Sequence, residues 1–467
     1  MKFTRREVIV TGAAAGLAAC GPPAPVGPRK IVPGEYDAAQ TTAFDPEALT
    51  EAAALYPMGI QAGAVRQDGA LLWTRLEGLA STRLRVWRDA ADGNVQLAKD
   101  VTLSPDANGY VRTTIDGLAP ATWYDYGFFD EALGRRGTLG RFRTAFPDDW
   151  KEPLLFGASA CTNRRMQPWV ALSATAKQNV DVFLHLGDIS YNDSATVADE
   201  FRALWKNALT DPGYRALLCK TGWYAVWDDH EIANDLDPEM TDPVRMATAK
   251  DSFFENIAQQ RGDNGELWRS YSWGGTAEFF LLDCRTERKP STIGTPDAQY
   301  LSRAQMDWFK GALKASKAHF KVVLNSVPIT RFPPPLWAVQ NDRWQAYEAQ
   351  REELLNFIVD ENIEHVLFMS GDFHLGLVMR VEKEGPRRRI WEIAAGPGGN
   401  SGNPLSLVWE SPDNRKIGFP KEQFVYCGGV PAVTTVALNP KDNTVTVKFI
   451  DPVTEEVRFE QVLPEDV

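Results

Sequence analysis

Short apolar runs alternate with amphipathic segments along the chain after residue 150. The runs end in small or polar residues, which is typical of strands buried on both faces of a sheet. The segments between them have the periodicity of helices, so the pattern predicts βα units and an α/β fold. The predicted strands are 154–163, 182–186, 223–231, 279–285, 320–325, 366–374, 434–438 and 444–450, and the predicted helices are 171–178, 196–209, 303–316 and 347–360.

Residues 53–146 follow a different pattern. Alternation with period two, as in 83–87, together with Asp-Gly turn signals predicts short strands in a small all-β sandwich. The stretch 117–143 resembles a fibronectin type III domain. We therefore expect an all-β domain over 51–147, packed beside a catalytic α/β domain over 151–462.

The first twenty residues predict export. Lys2, Arg5 and Arg6 precede an apolar stretch too short to span a bilayer, and this segment resembles a twin-arginine signal read by the export machinery. Its end resembles the lipobox of bacterial lipoproteins, which predicts a lipid on Cys20. An amphipathic N-terminal helix is the alternative. The proline-rich residues 21–50 predict an extended tether. We expect a protein in the periplasm or on the outer face of a bacterial membrane, held to it only by a lipid anchor.

Composition also limits the classes of molecule that this protein is expected to bind. The 467 residues carry a formal net charge of −12, which argues against nucleic acid as a partner because a phosphate backbone needs a basic surface. Carboxylates do suit hard metal cations. The five cysteines stand at wide, irregular spacings without a CxxC pair, so they predict neither a disulfide framework nor a zinc finger.

Metal-ligand side chains follow several of the predicted strands. In open α/β sheets the functional groups lie beyond the carboxyl ends of the strands, where these side chains would meet. A pair of metal ions about 3.5–4 Å apart at such a place can assist an in-line displacement at phosphorus. The strand-end groups are Cys161, Gly187-Asp188 with Tyr191, Asp228-Asp229-His230-Glu231 with Asn234, and Gly371-Asp372-Phe373-His374.

This order of motifs resembles the PhoD-type alkaline phosphatases of the calcineurin-like metallophosphoesterase superfamily. The resemblance extends from Tyr56 onward and includes the segments 72–76, 140–144, 270–274, 282–285 and 391–397. It implies a sandwich of two mixed β-sheets flanked by helices, preceded by the fibronectin III-like β-domain.

The resemblance also implies a metal centre. A ferric ion would be held by Cys161, Asp188, Tyr191 and either His374 or Asp372. One or two calcium ions would use Asp188, Asp229, Asn234 and Asp372. Thiolate, phenolate and imidazole donors suit a transition metal, and an all-oxygen set suits calcium.

The expected catalytic residues are Asp188, Asp229 and His230. By analogy with the superfamily, Asp229 is a metal ligand and His230 acts on the transition state, protonating the leaving group or steadying the phosphoryl oxygens. Arg285 and Asn325 are weaker candidates for contact with a phosphoryl oxygen, because structural roles explain them equally well.

Two side chains near these motifs have simpler interpretations. His185 lies within a buried strand and is expected to be a core histidine rather than a ligand. Asp193 lies near the site and is expected to close the turn after Tyr191, if it has any role there.

The sequence as a whole therefore predicts an exported, monomeric phosphatase that hydrolyses small phosphate monoesters. The reaction expected is attack by a metal-bound hydroxide in line with the leaving alcohol. A phosphodiesterase or phospholipase on the same fold remains open, because fold does not determine substrate. A ligand-binding surface lipoprotein with a structural metal site is the alternative from another class. A purely structural metal site, however, would not explain a histidine such as His230 that is expected to act on the transition state.

Overall fold

The apolar runs form strands close to the predicted positions. The structure, a computed structural model, describes residues 31–32, 44–90, 93–333 and 341–464. The predicted signal, Cys20 and most of the predicted tether lie outside these residues. The N-terminal strands are β1 (Ile31–Val32), β2 (Thr50–Glu51), β3 (Ile60–Arg66), β4 (Gly69–Arg75), β5 (Thr82–Asp89), β6 (Val95–Leu103), β7 (Tyr110–Ile115), β8 (Trp123–Asp130), β9 (Arg135–Arg136) and β10 (Gly140–Arg143).

The later strands and the helices alternate, as the pattern predicts. The strands are β11 (Leu154–Thr162), β12 (Val182–Leu186), β13 (Gly222–Val226), β14 (Arg269–Trp273), β15 (Ala277–Leu281), β16 (Phe320–Leu324), β17 (Val366–Ser370), β18 (Gly376–Arg380), β19 (Trp391–Ala394), β20 (Pro397–Gly399), β21 (Phe424–Gly428), β22 (Val433–Asn439), β23 (Thr444–Ile450) and β24 (Val457–Val462). The helices are α1 (Val170–Thr175), α2 (Ala198–Leu209), α3 (Pro212–Leu218), α4 (Pro243–Asn256), α5 (Arg303–Ala315), α6 (Glu348–Asp360), α7 (Ser406–Glu410) and α8 (Pro412–Gly418).

Helices α3 and α4 are absent from the sequence prediction, although the sequence carries a signal for each. Both begin with an Asp-Pro pair, in which the aspartate caps the helix and proline occupies its first turn. Asp211 accepts a hydrogen bond from the Gly213 N–H, and Asp242 accepts from the Val244 N–H. Such a pair is a recognised helix start.

Two mixed sheets form the centre of the molecule. The central sheet has the strand order β24-β23-β22-β11-β12-β13-β3-β4-β7, in which β11, β12 and β13 are parallel. The facing sheet has the order β14-β15-β16-β17-β19-β18-β21, with β15, β16, β17 and β19 parallel. Aromatic side chains join the two sheets: Tyr224 of β13 stacks on Tyr271 of β14 at 4.4 Å between ring centroids.

The N-terminal strands divide between two sheets. Strands β3, β4 and β7 extend the central sheet, since β3 pairs in parallel with β13 at Trp223 and Gly63. The other N-terminal strands form a separate sheet around β5 and β8. Hydrogen bonding is thus continuous between the N-terminal strands and the α/β region, and the division into domains at residues 147–151 stays a prediction.

Strand β3 also lies close to Ala258. A Cβ on Gly63 would meet the Ala258 carbonyl oxygen at 1.7 Å, so only glycine allows β3 to approach Ala258 this closely.

Cysteine pairing and membrane-spanning helices can both be examined in the described residues. The four cysteines among them are free and buried. No helix in the described ranges combines the length and hydrophobicity needed to cross a membrane.

Candidate functional site

The carboxyl ends of the parallel strands bring the predicted ligands together. Cys161, Asp188, Asp372 and His374 all have left-handed backbones, with φ between 54° and 58°. Non-glycine residues rarely adopt this conformation, and its cost concentrates at functional sites. Gly187, at φ 98°, lies so close to the next strand that a Cβ there would meet the Asp228 Cβ at 2.4 Å. The strand ends are therefore shaped for convergence at some cost in backbone strain.

One group of donors combines sulfur, nitrogen and oxygen. Ligand atoms of Cys161, Asp188 and His374 all lie within 4.8 Å of one another. The Tyr191 hydroxyl lies 3.3 Å from Asp188 Oδ2. Asn400, directly after β20, joins this group: its Nδ2 lies 2.7 Å from the Tyr191 hydroxyl and 3.0 Å from His374 Nε2. The sequence analysis did not single out Asn400, because it lies beyond the 391–397 segment of the family motif.

A second group shares Asp188 and includes the expected catalytic pair. Asp188, Asp229 and His230 offer ligand atoms within 4.8 Å of one another. The His230 ring lies against the Tyr191 ring, with 3.9 Å between centroids. His230 Nδ1 is 2.7 Å from Asp193 Oδ1. Asp193 therefore does more than close a turn, because it orients the imidazole.

Asn234 lies at the surface beside this second group. Its side-chain Nδ2 donates to Asp235 Oδ2 at 2.8 Å, and its backbone N–H donates to Asp193 Oδ1 at 2.7 Å. The role of Asn234 as a calcium ligand stays a prediction.

Glu231 holds the ends of β12 and β13 in place. It is buried and accepts backbone hydrogen bonds from Asp188 at 3.1 Å and Asp228 at 2.8 Å. Burial raises the pKa of Glu231 to about 7 although these N–H groups favour its charged form. The motif Asp-Asp-His-Glu contained this residue, but only the fold shows that it aligns two ligand-bearing loops.

A third group of carboxylates surrounds a buried arginine. Asp228, Asp229 and Asp372 offer oxygens within 4.8 Å of one another, and Arg285, fully buried, lies among them. Its guanidinium binds both oxygens of Asp228, with Nη2 to Oδ2 at 2.9 Å. It also donates to Asp372 Oδ1 at 2.6 Å and to Asp342 Oδ2 at 2.8 Å.

Arg285 and Asn325 both bond to other groups of the protein, and contact of either side chain with a phosphoryl oxygen stays a prediction. The guanidinium of Arg285 is engaged by carboxylates. Asn325, also fully buried, accepts from Trp344 Nε1 at 2.9 Å and donates from Nδ2 to the Val327 carbonyl at 2.6 Å. The partners of Arg285 are distant along the chain, so the sequence could not show them.

The electrostatic surroundings of Cys161, Tyr191 and His374 favour a bound metal cation. Burial, reinforced by the charge of Asp188, raises the pKa of both the Cys161 thiol and the Tyr191 phenol. Burial also lowers the pKa of His374, which favours the neutral imidazole that binds metals. A metal ion there would stabilise the thiolate and phenolate forms. The donor set itself, sulfur with nitrogen and oxygen, suits a transition metal.

The pKa of His230 is raised, in contrast to the pKa of His374. Burial lowers its pKa, but the charge of Asp188, the hydrogen bond to Asp193 and the charge of Asp229 outweigh that effect and raise it to about 10. The imidazole is thus held in its protonated form beside the two groups.

Comparisons with known proteins agree with this geometry. The model of the PhoD-like phosphatase family matches residues 156–416, and the model of the N-terminal domain of PhoD-like phosphatases matches residues 41–146. Alkaline phosphatase D of Bacillus subtilis (strain 168) is 25% identical over 378 residues, which are 68% of this chain and 64% of that relative. The chain therefore spans slightly less than two thirds of the length of this relative.

Solved structures confirm the predicted fold. A structure of PhoD superposes with a TM-score of 0.74 at 19% identity, covering 87% of this chain and 88% of the other. The purple acid phosphatase PPD1 from yellow lupin (Lupinus luteus) superposes with a TM-score of 0.61 at 11% identity, covering 87% and 75%. The sandwich of two mixed sheets and the N-terminal β region thus share the fold of these two structures. The extent of the family match confirms the resemblance seen in the motifs: this chain belongs to the PhoD-like phosphatase family.

Proposed function

We propose that this chain is an exported, metal-dependent phosphatase that hydrolyses small phosphate monoesters and releases inorganic phosphate. The observation that carries the proposal is the convergence of Cys161, Asp188 and His374 with Asp229 and His230 where strand ends of the central and facing sheets meet. Membership of the PhoD-like phosphatase family supports it.

Two kinds of metal suit the two groups that share Asp188. Cys161, Tyr191, Asp188 and His374 would hold ferric iron. Asp229, Asp188 and Asp372, with Asn234, would hold calcium. When bound, such a pair of cations polarises a phosphoryl group and supplies a nucleophile at neutral pH.

His230 is proposed as the proton donor to the leaving oxygen. Because Nδ1 faces Asp193, we assign Nε2 as the ring nitrogen available to an ester. The Asp193 carboxylate at Nδ1 favours the protonated imidazole, so the ring can give its proton to the departing alcohol. The stacking against Tyr191 limits rotation of the ring.

Turnover and metal content of His230→Ala test this assignment. We expect the variant to keep its metals and to lose about 10²–10⁴-fold in turnover. The loss should be smaller on an activated aryl phosphate than on an alkyl phosphate, because the aryl leaving group needs little protonation. A variant that sheds a metal, or loses equally on both esters, would contradict the role.

The metals and substrate class are tested on protein purified without chelators. If Tyr191 binds ferric iron, the protein will be coloured, and Tyr191→Phe will bleach it. A calcium-selective chelator should abolish activity without removing the colour. Rates on a matched alkyl monoester and diester decide the substrate class: a faster diester reaction would replace the proposed phosphatase with a phosphodiesterase.

Export, lipid attachment and a monomeric state remain part of the proposal on sequence grounds. The paired arginines and the lipobox-like end of the apolar stretch support export and lipidation of Cys20. Mass spectrometry of the protein recovered from membranes would reveal a cleaved, lipid-modified N-terminus at Cys20, and light scattering would give the assembly state.

A further inference from the structure

A second buried arginine lies at the edge of the candidate site. Arg343 directly precedes the short helix Trp344–Tyr347 and is only 5% exposed. Its Cζ lies 4.4 Å from the ring centroid of Phe373, the residue between the predicted ligands Asp372 and His374. Its Nη2 lies 3.4 Å from Asp372 Oδ2. The guanidinium therefore packs directly against the loop that carries two of the predicted metal ligands.

The hydrogen-bonding groups of Arg343 are poorly satisfied. Nε and Nη1 are buried and have no hydrogen-bond partner among the described residues, and the same holds for Asp372 Oδ2. The 3.4 Å approach of Nη2 to Asp372 is an ion pair rather than a short hydrogen bond. Burying a charged guanidinium without partners is costly, so native proteins rarely retain one unless something else supplies the acceptors.

Arg285 provides the contrast within the same site. It is equally buried, but carboxylates of Asp228, Asp342 and Asp372 accept from its guanidinium. The charge of Arg285 is thus compensated by the protein. In contrast, the donors at Nε and Nη1 of Arg343 have no acceptor among the described residues. An arginine presents a planar fork that matches the oxygens of a phosphoryl group.

We propose that Arg343 binds the terminal oxygens of the phosphoryl group in this site. This inference rests on the proposed function, because it assumes that a phosphate ester binds between the strand-end ligands. The residue takes the role in substrate binding that the sequence suggested for Arg285 and Asn325. A small rotation of the side chain away from the Phe373 ring would expose its unpaired donors to the ligand.

Arg380 offers a matched control. It is 4% exposed, and its Cζ lies 4.1 Å from the ring centroid of Trp391, an arrangement like that of Arg343 on Phe373. Its guanidinium, however, is bonded within the protein, with Nη1 donating to the Arg388 carbonyl at 2.7 Å. Substitution at Arg380 therefore measures the effect of removing a buried, ring-stacked guanidinium that has no proposed ligand.

The experiment compares Arg343→Gln, Arg343→Lys and Arg380→Gln with the wild-type full chain, each loaded with metal. Binding of inorganic phosphate is measured by calorimetry, together with metal content, melting temperature and kinetics on an alkyl monoester. We expect Arg343→Gln to keep its metals and to bind phosphate about 10- to 100-fold more weakly. Arg343→Lys should fall between it and the wild type, and Arg380→Gln should change only the melting temperature.

Three results would overturn the role of Arg343: undiminished phosphate binding by Arg343→Gln, loss of metal from that variant, or an equal loss of binding in Arg380→Gln. If Arg343→Gln does not fold, undiminished binding by Arg343→Lys overturns the proposal in its place. A wild-type protein that binds phosphate through Arg343 but hydrolyses no ester would support this inference and reject the proposed function. A wild-type protein that binds no phosphate would reject both.

Discussion

The acidic site between the central and facing sheets has two halves that differ in how their buried charge is compensated. In the first half, Cys161, Asp188, Tyr191 and His374 converge, and no arginine or lysine forms an ion pair with Asp188 among the described residues. The raised pKa values of the thiol and the phenol follow from burial and from the neighbouring negative charge.

The second half contains its own cation. Arg285 binds Asp228, Asp342 and Asp372, and none of these four side chains is more than 12% exposed. A buried carboxylate is charged only where neighbouring donors or cations stabilise the charge. In the second half Arg285 supplies that cation, whereas in the first half Asp188 lies beside the His230 imidazole and the other candidate metal ligands. A bound metal ion would therefore compensate the first half, while an arginine already compensates much of the second.

The largest expected effect concerns Asp188, which, like Asp229, belongs to two of the three groups. Asp188→Asn should shed metal and lower turnover by at least about 10⁴-fold, the upper end of what one acid–base group contributes. Asp342→Asn, in the second half, is the matched control and should retain the metals, because Asp342 bonds only to Arg285 and not to the metal groups. Equal metal loss in both variants, measured by elemental analysis, would remove the distinction between the halves.

Removal of the internal cation should affect stability instead. Arg285→Met leaves several buried carboxylates without compensation and should lower the free energy of unfolding by about 3–5 kcal/mol. Denaturant titration of metal-free protein measures this change. The double variant Arg285→Met with Asp228→Asn should recover part of the loss, since one charge is removed with its partner. If Arg285→Met were as stable as the wild type, the arginine would not be compensating the acids.

A smaller effect is expected at Asp193, which acts on the site only through His230. Asp193→Asn should keep the metals and lose about 10- to 100-fold in turnover. The hydrogen bond that His230 donates to Asp193 raises the pKa of His230, so its loss lowers that pKa. Because the acid must be protonated, the alkaline limb of the pH–rate profile should move to lower pH. Asp237→Asn, whose carboxylate accepts only local N–H groups, is the control. An unshifted profile in Asp193→Asn would contradict the dyad.

The last comparison concerns the two histidines near this site. His230 is surrounded by carboxylates, whereas His185 of β12 is fully buried and pairs with the Tyr214 hydroxyl at 2.7 Å. Burial lowers the pKa of His185 to about 3, below the 6.5 expected when unfolded. Its contribution to stability is therefore complete above pH 6.5 and is lost as the pH falls toward 3, at about 1.4 kcal/mol per pH unit.

Unfolding of the metal-free protein as a function of pH, in wild type and His185→Gln, isolates this contribution. The difference between the two proteins should shrink steadily below pH 6.5. A difference that does not change with pH would show that His185 is not held neutral. The expectation from sequence, that His185 is a core histidine, agrees with its burial and its bond to Tyr214.

Much of the fold was accessible from the sequence. Apolar runs of strand length located β11, β12, β13, β16 and β17, because burial on both faces leaves a local signature. The same signature did not show that β3, β4 and β7 continue the central sheet. Strand pairing depends on contacts such as that between Gly63 and Trp223, which are far apart in sequence.

The ligands were likewise visible in the sequence and their surroundings were not. Cys161 lies at the end of β11, and Asp188, Asp229 and His374 lie just beyond β12, β13 and β17, so the carboxyl ends of parallel strands could bring them together. By itself, the sequence determined which side chains could hold metals. Only the tertiary structure decided which of the acids are already compensated, because Arg285 reaches Asp228 and Asp342 across 57 residues in each direction. Charge compensation depends on distance in space, and no local pattern records it.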